Sequence, residues 1–145
     1  MTGYLLIQNA TMVLPDRVVV GDLRVISGSI QTVAAGGGLV PTASETVIDG
    51  TGLHLIPGAI DPQVHFREPG QPEKEDLGSG SRAAAAGGVT AFLDMPNNKP
   101  VATTRASMEA KIASAATNGV THHGFFIGAT PNNVSDLQSV AGMDG

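Results

Sequence analysis

The sequence predicts an α/β fold in which a small strand-rich segment is followed by a parallel sheet covered by helices. Two patterns carry this prediction. Residues 4–55 contain short apolar runs separated by turn residues, whereas residues 59–141 alternate apolar strands with longer helix-like segments. Alanine and glycine are also abundant, and such small residues allow helices to lie close against a sheet.

The first segment, residues 1–56, is predicted to be a small domain that resembles part of a β-sandwich. The runs "YLLI", "VVVGD", "LRVISGS" and "IQTVAA" are short and apolar, as strands require. Ser27-Gly28-Ser29 separates two β-branched runs and predicts a hairpin turn, and the glycines at 36–38 predict a loop. Residues 45–57 then add two short extended runs.

The second segment, residues 57–145, is predicted to contain three strand–helix units. The strands are expected at 60–66, 89–95 and 122–130, and the helices at 73–86, 103–118 and 132–141. The second helix is expected to bury one face, made of Met108, Ile112, Ala115 and Ala116.

Such alternation predicts a parallel sheet that is either open or closed into a barrel. A closed barrel of eight strand–helix units needs about 250 residues. A chain of 145 residues would supply the first three units only. On this interpretation the chain is expected to be a truncated part of a larger architecture.

Charge and composition exclude several classes of partner. The formal net charge is −5 and no run of lysine or arginine forms a basic face, so nucleic acid is not an expected partner. No apolar run approaches the roughly 20 residues of a membrane helix, and the first residues lack the basic flank of a signal peptide. We therefore expect a cytoplasmic protein without membrane contact. Because cysteine is absent, a metal would be held by His, Asp, Glu, a modified Lys or water.

Residues 60–67 separate polar from apolar side chains by alternation. On a strand, Asp61, Gln63, His65 and Arg67 share one face. An ordinary strand with one solvated face gives the same pattern. The strand–helix context and the rigid "REPG" turn that follows favour a polar face at the carboxyl end of a parallel strand, where barrel enzymes place their active sites.

This stretch resembles the start of the barrel in cyclic amidohydrolases, and most closely in dihydroorotases. Their pattern is Pro-Gly-x-Ile-Asp-x-His-x-His-x-Arg-Glu-Pro-Gly, and the residues that match it here are Pro57, Gly58, Ile60, Asp61, His65, Arg67, Glu68, Pro69 and Gly70. The later stretches "AAAAGGVTAFLDMPNNKP" and "FFIGAT" resemble the second and third barrel strands of this family. The resemblance is specific over residues 52–105 and looser over the rest of the chain.

The resemblance implies a (β/α)8 barrel of the TIM type and a zinc-dependent cyclic amide hydrolase. Such enzymes use one or two Zn²⁺ ions to activate water against a ring amide, and the reverse reaction closes N-carbamoyl-L-aspartate to dihydroorotate in de novo pyrimidine biosynthesis. It also implies that the catalytic aspartate and the remaining metal ligands lie beyond residue 145, so this chain alone is expected to be inactive. A homo-oligomer and an association with aspartate carbamoyltransferase are further expectations for a full-length protein.

Specific roles follow from the positions that match. The resemblance implies that His65 binds metal, that Arg67 and Asn97 bind the substrate carboxylate, and that Asp61 orients a metal ligand. Gln63 stands where the family has its first histidine, and an amide oxygen is a weaker zinc ligand than imidazole. Three outcomes stay open: two metals with a water completing the first site, one metal, or none. The presence of Arg67 and Asn97 favours a tolerated change.

Two other functions stay open. Allantoinases and hydantoinases share the fold and the metal chemistry, but their substrates lack a carboxylate at the place that Arg67 serves. The second alternative is a non-catalytic homologue that acts as a structural partner, which Gln63 motivates.

The remaining polar residues receive structural interpretations. His122 and His123 open the third strand at the end away from barrel chemistry, so a structural or surface role is expected. Asp94 ends the second strand and is expected to face the barrel mouth and bond the "PNN" loop. Lys74 and Lys99 lie in polar loops and are not expected to be a modified metal ligand.

Overall fold

The computed structural model describes residues 3–143 and divides the chain into two compact units, Met1–Pro57 and Gly58–Gly145. Each unit has its own sheet and its own cluster of buried hydrophobic residues. The division falls where the sequence changes from hairpins to strand–helix alternation.

The first unit contains one five-stranded sheet. Its strands are β1 (Tyr4–Val13), β2 (Val18–Ile26), β3 (Ser29–Ala35), β4 (Glu45–Asp49) and β5 (His54–Leu55). The order is β3-β2-β1-β4, and β5 also pairs with β1. β1 is antiparallel to β2 and parallel to both β4 and β5. The second sheet that a sandwich requires is not found among residues 3–57.

Ser27 and Gly28 turn the chain between β2 and β3. Both have a positive φ, of 51° and 79°, which is the backbone of a two-residue type I′ hairpin. Ile26 and Ser29 pair directly across the turn. The hairpin predicted at these residues is confirmed.

Asp22 stabilises a bulge in β1. Asn9 has a φ of 59° and interrupts the register of β1 with β2 between Ile7 and Ala10. The amide of Asn9 donates to one oxygen of the buried Asp22 carboxylate at 2.9 Å, and the amide of Leu39 donates to the other at 2.9 Å. These backbone donors hold the pKa of Asp22 below its ordinary value, although burial opposes them.

Replacement of Asp22 by asparagine is expected to destabilise the fold by about 1–3 kcal/mol, because the amide has one acceptor oxygen and leaves a buried N–H unpaired. Since the folded-state pKa of Asp22 is lowered, the carboxylate stabilises the fold above the ordinary aspartate pKa. That contribution is lost as the pH falls through the folded-state pKa. Urea unfolding of parent and variant, from about pH 7 to about pH 2, measures both effects.

The exposed Asp16, which pairs with Arg17, gives the matched control for this experiment, Asp16→Asn. The control is expected to unfold like the parent, because exposed ion pairs contribute little. The difference in unfolding free energy between parent and Asp22→Asn should shrink toward acid pH. A difference that stays constant over the whole range would contradict the assignment.

The second unit contains a three-stranded parallel sheet in the order β6-β7-β8. Its elements in chain order are β6 (Ala59–Val64), α1 (Leu77–Ala86), β7 (Val89–Asp94), α2 (Arg105–Asn118), β8 (His122–Phe125) and α3 (Val134–Ser139). Each strand is followed by a helix, as strand–helix alternation predicts.

α1 begins at Leu77, four residues later than predicted, because Asp76 is its N-cap. The Asp76 side chain accepts a hydrogen bond from the backbone N–H of Ser79, and the Ser79 hydroxyl bonds back to the N-cap. Such a capping box fixes the first turn of a helix and leaves the N-cap residue itself non-helical. The acidic residues that precede Asp76 therefore lie in a turn.

β8 ends at Phe125, although the sequence predicted a strand to residue 130. Its partner β7 ends at Asp94. The last hydrogen bond between the two segments runs from Phe126 N to Asp94 O, and the residues after Phe126 have no further residue of β7 to pair with. Gly128 N donates instead to Ala102 O, in the loop before α2.

Aromatic residues form the core of the second unit. The cluster comprises Phe66, Leu77, Phe92 and Ala115, with Val64 and Phe125 packed against it. The Phe66 and Phe92 rings meet edge to face with centroids 4.7 Å apart. Gly80 allows α1 to approach Phe66 closely, because a Cβ at this position would lie 2.5 Å from the ring. Alternation predicts that Ile60 shares the apolar face of Val64 and Phe66. Ile60 is nevertheless 67% exposed, because the core cluster contacts only the carboxyl end of β6 and the residues that follow it.

Among the helices of the described residues, none has the length and hydropathy needed to cross a membrane.

Candidate functional site

The loops after β6 and β7 meet at the carboxyl edge of the parallel sheet. Residues 65–70 follow β6, and residues 95–100 follow β7. A hydrogen bond of 2.9 Å from Met95 N to Val64 O joins the two strand ends, and a second one of 3.2 Å joins the loops farther out. The carboxyl edge is where parallel α/β folds bind ligands. This pair of loops is therefore the candidate site.

His65 and Asn97 contact each other across the two loops. Nδ1 of His65 lies 2.8 Å from Oδ1 of Asn97. Because an amide oxygen can only accept, this hydrogen bond requires the proton on Nδ1, and in the neutral ring that leaves the lone pair on Nε2. A histidine held in this tautomer is oriented to bind a metal through Nε2. Asn97 thus has a contact that the sequence did not predict, the orientation of His65.

Arg67 is exposed at the same edge. It follows Phe66, whose ring is buried, whereas the side chain of Arg67 is exposed. The ion pairs between residues 3 and 143 do not include its guanidinium. Its paired donors are therefore available to a planar anion such as a carboxylate. Asn97 is exposed as well.

Asp61 contacts the backbone of Gln63. Its Oδ1 accepts from Gln63 N at 3.0 Å, where the register of β6 with β7 is irregular between Asp61 and Val64. The Asp61 carboxylate thus bonds the main chain of Gln63, and its role in orienting a metal ligand stays a prediction. The side chain of Gln63 is exposed.

Two of the described side chains are of a kind that binds zinc. His65 has an imidazole held through Nδ1 by Asn97, and Gln63 has an amide oxygen two positions earlier in the chain. Between residues 3 and 143, no three His, Cys, Asp or Glu side chains lie close enough together to hold a metal ion. Zinc sites take three or four protein ligands. These residues fit as an incomplete ligand set that needs donors from outside the described range.

Asp94 faces the helix layer. Its side chain is fully buried on the same side of β7 as Phe92, so the prediction that it faces the mouth of a barrel is wrong. Its Oδ1 accepts from Phe66 N at 3.0 Å, and its Oδ2 accepts from Lys111 Nζ at 2.6 Å. The carboxylate therefore connects the segment that follows β6 to α2 through hydrogen bonds.

Lys111 is the residue at this edge that sequence reasoning missed. Besides Asp94, its ammonium donates to Asn98 Oδ1 at 2.7 Å and to Met95 O at 3.3 Å. It also lies 4.9 Å from the centre of the Phe125 ring. Burial lowers the pKa of Lys111, while the Asp94 carboxylate opposes that shift.

The helix-face prediction for α2 is confirmed in part. The structure buries Met108 and Ala115, half-buries Ile112 and leaves Ala116 exposed, and it also buries Lys111. Lys111 lies three residues after Met108 and four before Ala115, which is the spacing of a single helix face. This spacing is the available signal, but a pattern built on apolar residues leaves out lysine, which is seldom buried.

Asn98 and Glu68 brace the turn that carries Arg67. Asn98 is 4% exposed, and its Nδ2 donates to Phe66 O at 3.1 Å and to Glu68 O at 3.0 Å. The Glu68 carboxylate accepts from Leu77 N at 2.9 Å and from Ser114 Oγ at 2.5 Å. Both helices that flank the site are thus joined to this turn.

Gly70 completes the turn. Its φ is 114°, and a Cβ there would lie 2.3 Å from the carbonyl oxygen of Lys99. Only glycine satisfies both conditions. The last residue of the "REPG" motif is therefore required for the contact between the two loops.

His122 and His123 lie away from this edge, at the amino end of β8. Nδ1 of His123 is 3.2 Å from Thr121 O, and its ring lies beside Phe92 and Phe125. His122 is exposed. Their positions agree with the expected structural and surface roles.

Comparison with known proteins shows which family this chain resembles. A family model described as dihydro-orotase-like matches residues 52–143. The chain is 36% identical over 138 residues to an allantoinase of Desulfitobacterium hafniense (strain Y51), covering 94% of this chain and 30% of that protein. It is 48% identical over 88 residues to a dihydroorotase of Bacillus subtilis (strain 168), covering 61% of this chain and 20% of that protein.

Solved structures show the same fold. L-hydantoinase (dihydropyrimidinase) from Arthrobacter aurescens superposes with a TM-score of 0.84 at 23% identity, covering 97% of this chain and 31% of that one. A D-hydantoinase superposes with a TM-score of 0.78 at 27% identity and similar coverage, 98% and 31%. The chain thus spans about a third or less of the length of the relatives it matches. Since the family model covers more than half of the sequence, this chain belongs to the dihydro-orotase-like family.

Proposed function

We propose that this chain is part of a dihydroorotase-type cyclic amide hydrolase, in which β6, β7 and β8 are three strands of a closed (β/α)8 barrel. The observation that supports this proposal best is the exposed side chain of Arg67, which takes part in no ion pair of residues 3–143 and lies two residues after His65 of the His65–Asn97 pair. The substrate class follows from the chemistry of these groups, because dihydroorotate and N-carbamoyl-L-aspartate both carry a carboxylate that a guanidinium binds.

In this proposal each residue has a separate task. Arg67 binds the substrate carboxylate and sets the position of the ring. Asn97 holds the proton on His65 Nδ1, and its exposed amide nitrogen is available to donate to the same carboxylate. His65 and, more weakly, Gln63 are the ligands that this chain contributes to a zinc site. Zinc, when bound, lowers the pKa of water and polarises the amide carbonyl.

Allantoinase activity is the second candidate, because the allantoinase similarity extends over 94% of the chain. The two functions require different roles of Arg67. A cyclic ureide without a ring carboxylate gives the guanidinium no anion to bind, whereas dihydroorotate does.

A substrate panel separates these candidates. The natural full-length polypeptide that carries these residues is assayed for hydrolysis of dihydroorotate, allantoin and a 5-substituted hydantoin. Our proposal predicts turnover of dihydroorotate with the highest kcat/KM. Turnover of allantoin without turnover of dihydroorotate would establish the second candidate, and no turnover of any of the three would support a non-catalytic structural role.

Gln63→His is expected to raise the zinc bound per full-length protein, because imidazole binds zinc more strongly than an amide oxygen. Equilibrium dialysis followed by metal analysis measures the change. Gln71→His, in the turn before α1, is the matched control and should leave the zinc content unaltered. Equal zinc in parent and Gln63→His would show that position 63 does not face the metal.

A further inference from the structure

Three buried polar side chains form one connected network behind the candidate site. The network consists of Lys111, Asp94 and Asn98, which are 2%, 0% and 4% exposed. Lys111 Nζ donates to Asp94 at 2.6 Å and to Asn98 at 2.7 Å. Its third acceptor is the backbone oxygen of Met95 at 3.3 Å. The ammonium thus has one acceptor for each of its three protons.

The network fixes the residue between His65 and Arg67. Phe66 N donates to Asp94 at 3.0 Å, and Phe66 O accepts from Asn98 at 3.1 Å, so both backbone polar groups of Phe66 end in the network. The Phe66 ring is held in the core at the same time. His65 and Arg67 flank this anchored residue, so its placement limits the backbone positions open to both.

We infer that Lys111 is a positioning residue for the site, which sets the placement of His65 and Arg67 through Asp94, Asn98 and the backbone of Phe66. The ammonium is the only group of the network that contacts both side chains that hold Phe66. Without it, the Asp94 carboxylate is left without its cation, and the Oδ1 of Asn98 is left without the donor that holds it. The part of this inference that concerns catalysis rests on the proposed function.

The choice of a lysine here has a physical reason. A buried ion pair costs desolvation, and an apolar residue of similar size often stabilises a fold equally well. An apolar residue, however, donates no hydrogen bonds, and so it does not fix the directions of the Asp94 and Asn98 side chains. Lys111→Met keeps the length of the side chain and removes the three donors.

The test compares Lys111→Met with the parent in the full-length protein. Lys74→Met is the matched control, because Lys74 is exposed in the turn before α1. Crystal structures report the Phe66 backbone and the His65–Asn97 contact, and kinetics report kcat and KM separately. In folded Lys111→Met we expect the 65–68 segment to shift, the His65–Asn97 hydrogen bond to be lost, and kcat/KM to fall by about 10–100-fold, as for groups that orient metal ligands.

A residue with only a structural role would lower the melting temperature and leave the kinetics of the folded enzyme unchanged. The inference is therefore overturned if folded Lys111→Met keeps the His65–Asn97 contact and has the kcat/KM of Lys74→Met. Should Lys111→Met not fold, the double variant Asp94→Asn with Lys111→Met removes the unpaired carboxylate and carries the same two measurements.

The crystallographic measurement separates this inference from the proposed function. If the parent hydrolyses no cyclic amide, the proposed function fails, while displacement of the 65–68 segment in Lys111→Met still supports the positioning role. If the parent is active and the segment does not move, the positioning role fails and the proposed function stands.

Discussion

Arg67→Met is expected to lower kcat/KM for dihydroorotate on the order of 100-fold in the full-length protein. A guanidinium makes two parallel charge-assisted hydrogen bonds with a carboxylate. Losing both costs about 3 kcal/mol, and each 1.4 kcal/mol corresponds to about a tenfold change. Steady-state kinetics on dihydroorotate, beside a hydantoin without a carboxylate, measures the loss and its dependence on the anion.

The matched control is Arg82→Met, which removes an exposed arginine from α1 and should leave both substrates unaffected. Arg67→Lys is expected to recover only part of the activity, because an ammonium is a point charge without the paired donors of a guanidinium. An equal loss on dihydroorotate and on the hydantoin would contradict the carboxylate-binding role of Arg67.

His65→Ala is expected to weaken zinc binding on the order of 100-fold in the full-length protein. Zinc binds four-ligand protein sites with about 10–16 kcal/mol, which is about 2.5–4 kcal/mol for each ligand. The His65–Asn97 hydrogen bond supports a contribution of this size, because it restrains the ring before zinc binds. Competition with a chelator of known zinc affinity measures the change.

His122→Ala is the control for this experiment, since His122 is exposed at the opposite end of the strands. It should bind zinc like the parent. Circular dichroism of both variants establishes that they are folded. If His65→Ala and His122→Ala bind zinc equally well, then His65 is not a ligand and the metal part of the proposal is wrong.

Local patterns predicted much of the fold, because they act over a few neighbouring residues. The hairpin at Ser27-Gly28 follows from residues that tolerate positive φ between two β-branched runs. The parallel strand β6 follows from alternation of polar and apolar residues, and β7 from a nearly continuous apolar run, each next to helix signals. The start of α1 was predicted too early, because the acidic residues before Asp76 resemble a first helical turn. The capping box between Asp76 and Ser79 makes Leu77 the first helical residue.

The buried polar network was beyond local patterns, because its members are distant in the sequence. Asp94 and Lys111 are each ordinary surface residues by composition, and their pairing depends on how α2 packs against β7. The length of β8 was also beyond local patterns, because β8 ends where its partner β7 ends. Tertiary contacts of this kind override propensity and burial statistics.

At the candidate site, the sequence placed His65, Arg67 and Asn97 through the family pattern, and the structure brings His65 and Asn97 into direct contact. Their roles toward metal and substrate stay predictions. The side chain of Gln63 is exposed and its backbone bonds Asp61, whereas Arg67 follows Phe66, whose backbone is anchored to Asp94. The predicted role of Gln63 concerns zinc, and the predicted role of Arg67 concerns the substrate carboxylate.

The central claim is that this edge binds the carboxylate of a cyclic amide substrate through Arg67. A crystal structure of the full-length protein with dihydroorotate tests it most directly. The account predicts the guanidinium of Arg67 and the amide of Asn97 within about 3 Å of the carboxylate oxygens, with Nε2 of His65 on the metal. A carboxylate bound elsewhere, with Arg67 still facing solvent, would contradict it.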